Sequence, residues 1–179
     1  MIPLFLGLSL VNLLCLGVTM ALGYTGASPA TRSLHILAGA LATLVCCGVH
    51  CVVFTYFIAT AKWVQHAIAM KQLDAALAAP TRSFKRQAFP AAVVAMGAVF
   101  LAAVLGAARD NYMTPVLWHH AAAIAAVAVN AIVALVEYRA IARNGRLIAN
   151  VLERAGRAAH AGEHSTAPTD EPAAANASR

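Results

Sequence analysis

The chain has 179 residues, of which 61% are hydrophobic and 11% are charged, and its mean hydropathy is +0.71. Soluble domains are about 45–50% apolar and about 25% charged, so this composition excludes an ordinary soluble globule and is typical of a chain surrounded by lipid. The formal net charge of +6 does not indicate a nucleic-acid partner, because the basic residues lie between and after apolar runs and not on one solvated face.

Four apolar runs are long enough to cross a bilayer. Their approximate bounds are residues 2–24, 34–61, 89–108 and 115–138. Since about 20 apolar residues span a hydrocarbon core of about 30 Å, we predict an all-α, polytopic membrane protein built as an up-and-down bundle of four transmembrane helices. The first run has no basic segment before it and no small-residue cleavage site after it, so it is interpreted as a retained helix and not as a signal peptide.

Prolines and a glycine indicate where the helices end. We expect the second helix to continue beyond its span to Leu77 and to stop at Pro80, and we expect Pro90 in the first turn of the third helix. Gly145 is interpreted as a kink or stop in an extension of the fourth helix. The membrane domain with its helical extensions then covers residues 1–158, and the polar tail at 159–179 is predicted to be disordered because it has little to bury.

Basic residues are distributed unequally among the connections. Arg32 and Arg109 stand alone in the first and third connections, whereas the central connection and the segment after the fourth span each carry a group of Lys and Arg. These are Lys62, Lys71, Arg82, Lys85 and Arg86, and then Arg139, Arg143, Arg146, Arg154 and Arg157. Basic loops stay in the cytoplasm, so the pattern predicts a multi-pass protein of a bacterial-type inner membrane with both termini cytoplasmic.

Polar side chains within spans are costly in hydrocarbon and usually have a role. The candidates are His35 and His50 on the second helix, His119 and His120 on the fourth, and Asn12, Asn130 and Glu137. A rise of 1.5 Å per residue places His35 at the same depth as His119 or His120, near the outer edge, and places His50 about 22 Å deeper. Fifteen residues bring His35 and His50 to one face of their helix, and the second and fourth helices of such a bundle lie diagonally across its core.

The spacing of these histidines resembles that of membrane b-type cytochromes with four helices, in which haem is held between histidines of two helices. The resemblance covers the spans only. It implies one haem b in the outer tier, with His35 and either His119 or His120 as ligands to the iron. The stretch opposite His50, Val133 to Leu135, contains no ligand, so His50 is expected to be a lone inner polar group, bonded to Asn130.

A haem ligand also needs an acceptor for its second ring nitrogen. Thr31, Ser33, Asn111 or a backbone carbonyl could provide one. Glu137 is expected to pair with Arg139, Tyr138 or a cation at the level of the lipid headgroups, and Asn12 and Asn130 are interpreted as residues that hydrogen-bond between helices.

Other interpretations of the same residues remain open. A copper or zinc site could use His35, His119 and His120, since imidazole binds both metals. The group Cys46, Cys47 and Cys51 is interpreted as packing, because its spacing differs from that of structural zinc sites. No carboxylate pair, activated serine or phosphate loop indicates hydrolysis, and whether the chain is an enzyme is left undecided.

Two functions are therefore carried forward. The first is an electron-transfer subunit that receives electrons from a quinol or a periplasmic carrier. The second is a cofactor-free scaffold or accessory subunit of a larger membrane complex. In both cases the expected partners are the lipid bilayer and either another membrane subunit or a second copy of the chain.

Overall fold

The computed structural model describes residues 1–25, 28–110, 113 and 115–165, except for the side chains of 110 and 160–165. Within these residues the chain forms four long α-helices and one short 3₁₀ helix. They are α1 (Ile2–Thr25), α2 (Pro29–Met70), the 3₁₀ helix (Ala75–Ala78), α3 (Ala79–Asp110) and α4 (Val116–Ser165). The prediction of an all-α four-helix bundle is confirmed.

The second helix begins earlier than its apolar run because of a capping box. The Ser28 hydroxyl accepts from the backbone N–H of Thr31, and the Thr31 hydroxyl accepts from the backbone N–H of Ser28. These bonds satisfy amides that a helix start otherwise leaves unpaired, and Pro29 fits the first turn because it has no N–H to satisfy. The helix therefore starts at Pro29, five residues before the predicted span.

The connection between α2 and α3 differs from the prediction. Helix α2 ends at Met70 and not near Leu77, and the chain turns at Gln72, whose φ is 49°. The Asp74 carboxylate then caps the 3₁₀ helix by accepting from the Ala76 amide at 2.8 Å. Because the turn lies here, Pro80 falls in the first turn of α3 and not at the end of α2.

Two further boundaries were wrong, both because a residue that often ends helices is tolerated within one. Helix α3 starts ten residues before its predicted span, so Pro90 lies inside the helix. Helix α4 continues through Gly145 to Ser165, so residues 159–165 of the predicted disordered tail are helical. The rest of that tail, 166–179, lies outside the described residues.

The helices form a closed ring in which α1 packs on α2, α2 on α3, α3 on α4 and α4 on α1, while α2 and α4 also touch across the diagonal. We call the end with the α1–α2 and α3–α4 connections the distal end. The end with the N-terminus and the α2–α3 connection is the proximal end. Consecutive helices are thus antiparallel, and residues of α2 and α4 can meet inside the ring.

The outer surface of the bundle is apolar. Each of the four long helices contains an 18-residue apolar window long enough to cross a membrane, and only 17–28% of each window is buried inside the protein. Leucines such as Leu37, Leu44 and Leu117 are 67–71% exposed. An apolar exterior of this extent is stable only in lipid, so the chain is a multi-pass membrane protein.

Candidate cofactor-binding site

A large cavity opens at the distal end between all four helices. Its volume is about 1250 Å³, which exceeds the range of about 300–1,000 Å³ typical of small-molecule sites. Its walls include His35 from α2, His119 and His120 from α4, and glycines from α1, α2 and α3. The cavity therefore collects three of the four histidines predicted as site residues, and it is large enough for a ligand of cofactor size.

His35 and His119 face each other across this cavity. Their ring centroids are 6.1 Å apart, and the ring planes cross at 80°. The structure thus places the outer-tier histidines of α2 and α4 opposite each other, as the depth and face arithmetic predicted. It also indicates which histidine of α4 takes part, because the His120 ring lies 5.0 Å from the ring of Tyr24 on α1 instead.

Backbone carbonyls of the neighbouring helices orient the two rings. His35 Nδ1 lies 2.9 Å from the Thr19 carbonyl oxygen of α1, and His119 Nδ1 lies 3.0 Å from the Ala102 carbonyl oxygen of α3. A carbonyl only accepts, so both Nδ1 atoms must carry the proton. In the neutral ring the lone pair then lies on Nε2, which is the atom that can bind a metal. Of the acceptors considered from the sequence, the backbone carbonyl is the one used.

Two glycines provide space for these rings. A methyl group built on Gly106 would lie 2.9 Å from Cε1 of His119, and one built on Gly23 would lie 3.0 Å from Cε1 of His35. Contacts this short require a shift of the ring. Elsewhere in the spans Gly97 has open space around the same position, so the close approach is specific to the histidines.

The two halves of the bundle repeat this arrangement. In α1, the Thr19 carbonyl and Gly23 lie against His35 of α2. In α3, the Ala102 carbonyl and Gly106 lie against His119 of α4 in the same way. In each half the glycine follows the carbonyl residue by four positions. Sequence reasoning missed Gly23, Thr19 and Ala102 as parts of the site. The similar spacing from glycine to histidine, 12 residues in one half and 13 in the other, was the sequence pattern that could have revealed this repeat.

The described residues do not support a metal site made of side chains alone. Within them there is no group of three or more His, Cys, Asp or Glu that could hold a metal ion. His120 turns towards Tyr24 of α1, whose ring centroid lies 5.0 Å from that of His120. Cys46, Cys47 and Cys51 form no such group among these residues either, and Cys46 is buried whereas Cys51 is exposed.

The fourth predicted histidine belongs to a separate polar layer deeper in the bundle. His50 Nδ1 lies 2.9 Å from Oε1 of Glu137, with both side chains at most 3% exposed. Two expectations were therefore wrong: His50 bonds Glu137 and not Asn130, and Glu137 bonds His50 and not Arg139, Tyr138 or a headgroup-level cation. Helix rotation turns Glu137 inwards, where the only favourable state for its carboxylate is a paired one.

Two asparagines lie about one to two helical turns nearer the cavity, and we include them in the same polar layer. Asn12 Nδ2 of α1 donates to Asn130 Oδ1 of α4 at 3.0 Å, and the Cys46 thiol of α2 donates to the same oxygen at 3.4 Å. The prediction that these asparagines bond between helices is confirmed. Asn130 Nδ2 also donates to the Ala95 carbonyl of α3 at 3.3 Å, so the layer joins all four helices directly below the cavity.

Comparison with protein-family models, with characterised proteins and with solved structures gave no match for this chain. Its function is therefore argued from two features of the bundle: the paired histidines of the distal cavity and the polar layer beneath them.

Proposed function

We propose that this protein is a small membrane electron-transfer subunit, similar to b-type cytochromes, whose distal cavity would bind one haem b with His35 and His119 as the residues that hold its iron. His120 and His50 are not ligands in this proposal. The single observation that carries it is the geometry of the His35–His119 pair.

The separation of the two rings suits a metal between them. A metal–nitrogen bond of about 2 Å on each side, together with about 1 Å from each nitrogen to its ring centre, requires about 6 Å between the ring centroids. The rings are 6.1 Å apart. Rotation of a ring about its metal–nitrogen bond does not alter ligation, so crossed ring planes are compatible with this role.

The contacts behind the rings also suit axial ligands. A ligating histidine almost always donates its second ring N–H to a carboxylate, a carbonyl or water, which fixes the ring and raises its basicity. His35 and His119 each have such a carbonyl.

The rim of the cavity suits the acidic edge of the macrocycle. Arg32 and Arg109 both line the cavity at the distal end, where the helices meet water. Guanidinium groups bind carboxylates well, and haem b carries two propionates. The apolar residues deeper in the cavity, among them Leu16 and Val99, would contact the ring and exclude water from it.

When bound, haem supplies reversible one-electron chemistry. The chain provides orientation through Thr19 and Ala102, ligation through His35 and His119, and an apolar surrounding that influences the reduction potential. A quinol or a periplasmic electron carrier would approach the distal face, and a second membrane subunit or copy of the chain would receive the electron.

The haem content of the purified protein tests this function. We expect the full chain, expressed with a supplied haem precursor and purified in mild detergent, to retain one haem b per chain, measured as the pyridine haemochrome. The reduced-minus-oxidised spectrum should have the Soret and alpha bands of a low-spin b-type haem. A colourless protein under these conditions would contradict the proposal and favour the cofactor-free scaffold.

The proposed orientation places the distal end outside and both termini in the cytoplasm of a bacterial-type inner membrane. It rests on the Lys and Arg groups of the proximal end. We expect green fluorescent protein fused after residue 165 to fluoresce, and alkaline phosphatase inserted after residue 27 to be active. The opposite pattern of reporter activity would reverse the orientation and leave the haem site untouched.

A further inference from the structure

The buried pair His50–Glu137 is not used by the proposed haem site, and it lies within the long apolar helices α2 and α4. Its side chains are 3% and 1% exposed. The neutral imidazole with a carboxylate has one net negative charge, whereas one added proton makes the pair neutral. A net charge is costly in a low-dielectric interior, so burial favours the neutral form of the pair, which carries the added proton.

Three buried polar atoms in the same layer have no hydrogen-bond partner among the described residues. They are Ser9 Oγ, Asn12 Oδ1 and His50 Nε2. A buried polar atom without a partner costs about 1–3 kcal/mol, and buried water is what usually satisfies such atoms. These atoms therefore indicate a place for bound water beside the pair.

The orientation of the Asn12 amide is determined by its neighbours. Asn130 Nδ2 donates to the carbonyl oxygens of Ala95 and Ala126 at 3.3 and 2.9 Å, so Asn130 Oδ1 must face Asn12. Asn12 then presents its Nδ2 to that oxygen and its own Oδ1 elsewhere. The unpartnered oxygen is thus a consequence of the network and not of an arbitrary choice between the two amide atoms.

The three unpartnered atoms belong to adjacent turns of packed helices. Ser9 precedes Asn12 by three residues and so lies one turn away on the same face of α1. His50 follows Cys46 by four residues on α2, and the Cys46 thiol and the Asn12 amide meet at the same Asn130 oxygen. Water held in this layer could therefore bridge α1 to the imidazole of His50.

The two sides of the pair differ in how open they are to water. Towards the proximal end lie large apolar side chains that are at most 2% exposed, namely Phe5, Val53, Phe57 and Ile141. Towards the distal end lie the smaller Val133, then Asn130 and, one turn further, Ala126, a small residue that lines the cavity. Access by water is therefore easier from the cavity than from the proximal end.

We propose that His50 and Glu137 form a proton-binding site in the membrane core, which exchanges its proton with the distal cavity through water bound at Ser9, Asn12 and His50. The proton arrives from water in the cavity, passes along bound water and adds to the pair, whose net charge rises from minus one to zero. It leaves by the same route. Each bound water accepts one proton and releases another, so the O–H bonds formed along the route equal those broken.

Few other groups act on this proton. The titratable side chain next to the pair is the thiol of Cys46 on α2. Helix α1 contributes the uncharged Ser9 and Asn12, and α3 presents buried alanines to the core, among them Ala92 and Ala95. The charge of the layer is therefore controlled by the pair itself.

Infrared difference spectroscopy of the full chain in lipid nanodiscs tests the proposal. We expect spectra recorded at acid and alkaline pH to differ by imidazole and carboxyl bands that are absent from E137Q and altered in H50Q. The matched control is E153Q, since Glu153 is 68% exposed on the same helix, and it should retain these bands. If the folded wild-type protein has no such bands at any accessible pH, His50–Glu137 is only a structural ion pair and the proposal fails.

The route is tested by the same substitution on either side of Glu137. Ala126 and Ala140 are both buried residues of α4, 2% and 1% exposed. On transfer to D₂O we expect A126L to slow deuteration of the pair by at least an order of magnitude and A140L to leave it unchanged. Slowing by A140L, or by neither variant, would overturn the route from the cavity. Thermal unfolding of both variants checks that they fold, and the measurement remains valid in a protein without haem.

Discussion

Replacing either His35 or His119 by alanine is expected to abolish the low-spin haem spectrum of the protein. Each variant removes one of two ligands held 6.1 Å apart, and no other described histidine is in place to substitute, because His120 turns to Tyr24 and His50 is paired with Glu137. Haem content per chain, measured as the pyridine haemochrome, should fall to near zero, or the remaining haem should become high-spin with one ligand.

The controls separate ligation from general damage. H120A and H50Q should keep the low-spin alpha band, since neither residue is a proposed ligand. G106A should weaken haem retention by about 10- to 100-fold, the usual cost of disturbing a contact behind a metal ligand, because its methyl group would lie 2.9 Å from Cε1 of His119. G97A, on the same helix but in open space, should behave as wild type. Loss of haem in H50Q together with normal haem in H35A would contradict the ligand assignment.

Replacing Glu137 alone by leucine is expected to destabilise the bundle strongly. The variant leaves His50 buried with both ring nitrogens unpartnered by side chains, since Nε2 already has no partner among the described residues. Removing one member of a buried pair costs about 3–5 kcal/mol in soluble proteins, and interhelical bonds in membranes are worth somewhat less. Unfolding in mixed detergent, followed by circular dichroism, measures the loss.

The double variant H50L/E137L is the decisive comparison. Replacing both partners of a buried pair by apolar residues of similar volume is often neutral or stabilising, so the double variant should recover most of the stability lost in E137L. It should also lose the pH-dependent infrared bands. If the double variant were as unstable as the sum of the two single variants, the two side chains would not interact.

The number and type of helices could be predicted from residue order because apolar run length is a local property. An apolar segment such as residues 2–24 is stable only in lipid or in a large apolar core, whichever helices it packs against. The helix ends were less predictable. Pro90 and Gly145 each have a local preference of a few kcal/mol at most, and the surrounding helix and its packing outweighed it. Pro80 keeps its usual preference, but for the first turn of α3 and not for the end of α2.

The outer histidines could also be anticipated, because helix rise and rotation convert residue numbers into depth and face. The helix rise places His35 at the same depth as His119 and His120. It could not show which of these two neighbours faces His35, because their directions differ by about 100° of helix rotation. That selection depends on how α4 is rotated against α3, where the carbonyl of Ala102 receives His119.

The partner of Glu137 could not be read from its neighbours in the chain. Arg139 and Tyr138 are adjacent in sequence, yet the residue that bonds Glu137 is His50, 87 positions away. The role of Gly23 likewise depends on the approach of the His35 ring, since a methyl group on Gly23 would lie 3.0 Å from Cε1 of His35. Composition and the length of each apolar run determine whether a segment needs lipid or water around it, so the sequence alone was enough to predict the membrane spans. Which polar atoms meet within the bundle depends on the rotation and register of four helices packed together, and these are set by side-chain contacts between segments far apart in the chain.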